Sequence, residues 1–164
     1  MKRDEEIQRL IRYAQGMGAS VHFKPYNPNK GNLASWAIDG TEITIFVRKN
    51  SSKIEKILSL IHELSHHKAY INNDREISPE LEDVLDKDDP NKKERHRIWR
   101  SEVRDSKYWE TIYKDTNCQF DINKLYMQRE LDLWIYEIYY ETGVTPTGKV
   151  RREKMKELKK KYVK

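Results

Sequence analysis

The chain has 164 residues, of which 37% are apolar and 36% charged. That length allows one main domain with a modest core. Lys and Arg number 32 against 27 Asp and Glu, so the net charge is 32 − 27 = +5, too mild to mark a nucleic-acid binder by itself. No apolar run approaches the ~18 residues that a membrane span requires, which excludes an integral helical membrane protein. Charges follow the first basic residues where a signal peptide would place its apolar segment. The single cysteine, Cys118, excludes an internal disulfide framework and a Cys-rich zinc site. We therefore expect a soluble, cytoplasmic protein.

Ile7, Leu10, Ile11, Ala14 and Met17 step by three and four, which predicts an amphipathic helix. Asp4 is its expected N-cap, and Gly16 and Gly18 end it. Val21-His22-Phe23 reads as a short strand. Residues 33–47 read as a hairpin turning at Asp39-Gly40, a pair suited to positive φ. Its second strand, with Ile43, Ile45 and Val47 alternating with Thr44 and Phe46, suits a sheet packed on a helix.

Asn50-Ser51-Ser52 caps a strongly patterned helix over 53–71, with Ile54, Ile57, Leu58, Ile61 and Leu64 as its buried stripe. From Asp74 to Asp89 eight acidic residues meet two basic ones, a local charge of −6, which reads as a solvated insertion over about 74–90. One helix is then expected over 92–114, and another over 122–140 with Met127, Leu131, Trp134 and Ile138 as its stripe. Gly143 stops it. Residues 149–164 hold nine basic and two acidic residues, so +7, with Val150, Met155, Leu158 and Val163 as a thin apolar side. The fold class expected is α+β: a small antiparallel or mixed sheet on a central helix, followed by further helices. Residues 1–145 would form one domain and 146–164 a basic tail.

The central helix carries Ile61-His62-Glu63-Leu64-Ser65-His66-His67. This contains His-Glu-x-x-His, with its histidines one turn apart on one face. Zinc accepts neutral imidazole, and a hydrolytic site needs three protein ligands and an open position. Glu63 lies beside His62, where its carboxylate can act as a general base towards water. His67, i+4 from Glu63, reads as an ordinary, partly exposed histidine, and His22 as structural. Glu102 leads for the third ligand. It lies on an otherwise apolar face, with Asp105 at i+3 able to orient a ligand histidine. Glu130 and His96 are the alternatives, and Asp132 is weaker.

The element order and the motif together resemble the small ImmA/IrrE-type zinc metallopeptidases, a gluzincin-like group, and the metalloproteases of phage and prophage genomes. The resemblance spans about residues 1–115. It implies a minimal zincin-like fold, zinc on His62, His66 and Glu102, and Glu63 as the base of an endopeptidase that cleaves a protein or peptide. The stretch Glu102-Val103-Arg104-Asp105-Ser106-Lys107-Tyr108 loosely matches the family pattern, with Asp105 where a small residue is usual. In such an architecture the strand over 41–47 is expected to present its edge to an extended substrate. Tyr108, Tyr126 and Tyr136 lie on predicted helices as candidates to stabilise an oxyanion, with packing the first role of each. Two other readings stay open. One is an SprT-like protease of nucleic-acid-bound proteins, similar only at the motif, with the basic tail as the contact. The other is a non-catalytic module that keeps zinc for stability. The tail reads first as a solvated helix, so a nucleic-acid partner is not the favoured one.

Overall fold

The computed structural model describes residues 2–27, 34–36, 42–72 and 90–163. The chain is α+β and divides into two compact units, Met1–Arg75 with Lys107–Phe120, and Glu76–Ser106 with Asp121–Lys164. The expected acidic insertion and the Asp39-Gly40 turn lie outside the described residues.

The first unit contains α1 (Lys2–Gly16), β1 (Ser20–Pro25), β2 (Ala34–Trp36), β3 (Glu42–Val47), α2 (Lys53–Ile71) and a short helix over Tyr108–Asp115. Leu10 and Ala14 of α1, fully buried, are the four-residue repeat of its stripe. The helix begins at Lys2, so Asp4 lies inside its first turn and is not the N-cap. Its carboxylate instead accepts from Lys53 Nζ at 2.8 Å, and that bond holds Asp4 below the usual carboxylate range. At the far end Gly18 adopts φ +82°, and Ala19 N donates back to Ala14 O at 2.9 Å. This left-handed turn closes the helix and feeds the chain directly into β1.

The sheet is mixed, in the order β1-β3-β2. β1 pairs parallel to β3 from Ser20 opposite Glu42 to Pro25 opposite Val47. β2 pairs antiparallel, Ala34 opposite Ile45 and Trp36 opposite Ile43, as a hairpin requires. β3 is therefore the central strand. The expectation that it offers an edge to a peptide is overturned, because over Ile43–Ile45 its backbone is paired on both sides. Ile43 and Ile45 are buried, and α2 packs against β2 and β3.

Ser52 caps α2 by accepting from Glu55 N at 3.1 Å. Ile57, Leu60, Ile61 and Leu64 are fully buried, since α2 packs against α1, the sheet and Tyr108–Asp115. The single helix expected over 92–114 is two: α3 (Lys92–Asp105) and α4 (Tyr108–Asp115). The Ser106 hydroxyl donates to Val103 O at 2.6 Å, occupying the carbonyl that a continuing helix would offer to Lys107.

In the second unit α3 starts with a reciprocal cap, in which Asn91 and Glu94 each accept the other's backbone N–H. It packs against α5 (Ile122–Thr142). Arg95 bridges the Pro90 and Tyr140 carbonyls, and Trp99 stacks on Tyr140 with the rings 5° from parallel. Gly143, at φ +77°, ends α5 as expected. The basic tail forms α6 (Gly148–Tyr162), capped by Thr147. Leu158 buries against Met127 and Leu131 of α5, with Trp134, Ile135, Met155 and Tyr162 around them. Val150 and Val163, expected on the same apolar side, are exposed.

Glu130 of α5 accepts from Lys161 Nζ at 2.7 Å and from the Tyr162 hydroxyl. Burial pushes the Glu130 carboxyl up, but these two bonds outweigh it and hold it low. The same contact raises Lys161 and Tyr162. A depressed carboxylate contributes stability above its unfolded pKa, about 4.3, and loses it as pH falls through the lower folded value. Raised Lys161 contributes below its unfolded value, about 10.4, and loses it at higher pH. Glu130→Gln should thus be less stable than the wild type at pH 7 in urea titrations. The gap should close as pH falls below the usual glutamate range. An equal gap at both ends would remove this account of α5–α6 docking.

Candidate metal centre

α2 brings His62 and His66 together one turn apart, with ring centroids separated by 5.1 Å. The helix cannot rotate this face away, because Ile57, Ile61 and Leu64 beside it are fully buried. Trp109, only 2% exposed, packs on the His62 ring at 5.3 Å between centroids. It therefore limits the orientations open to that imidazole. Ser65, also buried, donates its hydroxyl to the His62 carbonyl. Glu63 is 9% exposed.

His62, His66 and Glu102 each offer one ligand atom, and these atoms all lie within 4.8 Å of one another. This group could hold a metal ion, and it is the one such group among the described residues. Each of the three side chains is partly exposed. Two imidazole nitrogens and one carboxylate oxygen are the donor set of catalytic zinc sites that keep an open position. The residues present therefore fit zinc by number and chemistry.

The alternatives for the third ligand are engaged elsewhere. Glu130 is held by Lys161 and Tyr162. His96 lies against Trp99 and Tyr140, at 5.8 and 4.9 Å between ring centroids. Asp132 accepts from Gln128 at 2.8 Å. Asp105 is buried beside Arg104, whose Nε lies 3.7 Å away, and it is not part of the metal group. His22 is exposed next to Ser20 and Glu42.

His67 departs from expectation, being 1% exposed. Its Nε2 lies 2.7 Å from the Met17 carbonyl. A carbonyl only accepts, so Nε2 carries the proton and the ring ties α2 to the segment after α1. Its sequence position gave no sign of this, because the acceptor lies fifty residues upstream. Trp109 was also missed as a neighbour of the site. It reads as one more apolar residue of a long helix until the break at Ser106 sets α4 apart. Tyr108 is buried, with its hydroxyl 3.4 Å from Asn72 Nδ2, and Tyr126 lies by Tyr162 and Arg129.

No family model, curated protein or solved structure matches this chain.

Proposed function

We propose that this chain is a zinc-dependent endopeptidase, with His62, His66 and Glu102 as metal ligands and Glu63 as the general base. The observation that carries the proposal is the convergence of two motif histidines and one distant carboxylate on a three-donor group. A purely structural zinc site would have no use for Glu63, which the motif places beside those ligands. The resemblance to the small ImmA/IrrE-type metallopeptidases agrees with this reading. It would make residues 1–145 the catalytic part, working in the cytoplasm on a protein or peptide.

Bound zinc would supply Lewis acidity, polarising a peptide carbonyl and making water acidic enough to lose a proton near neutral pH. The chain's own groups supply the rest. Glu63 accepts the proton of the attacking water. The same carboxyl then gives the proton to the departing amine, so that amide cleavage yields a neutral leaving group. Trp109 holds the His62 ring in place, which keeps the donor atoms preorganised.

The test is hydrolysis of an unfolded protein such as casein, followed by mass spectrometry. Cleavage should appear in the zinc-loaded chain, vanish with a chelator and return when zinc is restored. Cleavage that persists after full metal removal would contradict the proposal.

A further inference from the structure

α6 holds eight Lys and Arg residues, and the structure sorts them into two sets. Arg151, Lys154 and Lys161 are engaged: Arg151 donates to Pro146 O at 2.9 Å, Lys154 lies over Trp134 and near Glu157, and Lys161 binds Glu130. Lys149, Arg152, Lys156, Lys159 and Lys160 are all exposed and have no ion pair among the described residues. At 100° per residue these five fall within an arc of about 100°, centred opposite the buried Leu158. They extend over about 16 Å of helix, with neighbours four residues or fewer apart. Glu153 borders the row, and Glu157 beside it is taken by Lys154.

We propose that this outer face of α6 binds the phosphate backbone of a nucleic acid without reading its sequence. Three observations choose that occupant. A stripe of five cations along one face of a helix complements a polymer that carries a negative charge at every phosphate. Leu158, Met155 and Tyr162 of α6 pack on α5, which leaves only Val150 and Val163 exposed, too little apolar surface to insert into a bilayer. No aromatic residue stands in the row, so the contact would be to phosphates and not to bases. Thr147 caps the helix and Leu158 anchors it, so the row is presented already ordered.

Fluorescence anisotropy of the full chain with a short DNA duplex of arbitrary sequence tests this. Four or five phosphate contacts should weaken binding on the order of 10²-fold between about 50 and 200 mM salt. The triple variant Arg152→Gln, Lys156→Gln, Lys159→Gln should lower the log–log salt slope by about three. Lys2→Gln, Lys24→Gln, Lys49→Gln changes the net charge equally on other exposed positions and should leave the slope unchanged. Circular dichroism confirms folding, since all the substituted side chains face solvent. An unaltered slope in the α6 variant, equal losses in both variants, or no binding at low salt would overturn the proposal. So would tighter, α6-dependent binding to phosphatidylserine vesicles than to the duplex.

Discussion

Glu63→Gln should abolish peptide hydrolysis while leaving metal binding in place. A positioned general base contributes about 10²–10⁴ in rate, and glutamine keeps the shape of glutamate without its basicity. Glu63 is not one of the three donors of the metal group, so its loss removes no ligand. Glutamine also matches glutamate in size, so the variant should remain folded, which circular dichroism checks. Turnover on an unfolded substrate, measured beside zinc content, checks both halves. A fully active variant would mean that Glu63 is not the base. A variant without zinc would mean that it is a ligand or supports one.

Much of the first unit was legible because local signals and tertiary packing agree. The bounds of α2 follow from Ser52, an N-cap, and from apolar residues at helical spacing that do become buried. Gly18, and Gly143 in the second unit, stand where the backbone turns left-handed, which few other residues accept. Most of the misses share one physical cause, namely partners distant in sequence. Lys53 draws Asp4 away from a capping role, and the Met17 carbonyl buries His67. The order of the strands depends on parallel pairing across more than twenty residues, which no period along the chain encodes. The break between α3 and α4 was written locally, in Ser106, but a serine inside an amphipathic pattern is a weak signal.

For the site, the spacing of His62 and His66 was sufficient, because a helix forces residues one turn apart onto one face. Glu102 needed more. Sequence set it against Glu130 and His96, and only their surroundings separate them. Glu130 has two donors of its own on α6, and His96 lies against Trp99 and Tyr140. Likewise, the basic tail carries one charge total in sequence but two distinct sets of cations once α6 docks on α5.

The second large effect concerns the metal, and it tests the central claim most directly. Removing one of three protein ligands from a zinc site leaves too few donors to retain the ion through purification. Zinc should be measured by elemental mass spectrometry on untagged wild type, His66→Ala, Glu102→Ala and Glu130→Ala. The account predicts close to one zinc per chain in the wild type and Glu130→Ala, and its loss in His66→Ala and Glu102→Ala. Folded wild type that takes up no zinc even when it is supplied would contradict the account. Retention of zinc by Glu102→Ala would contradict the assignment of the third ligand.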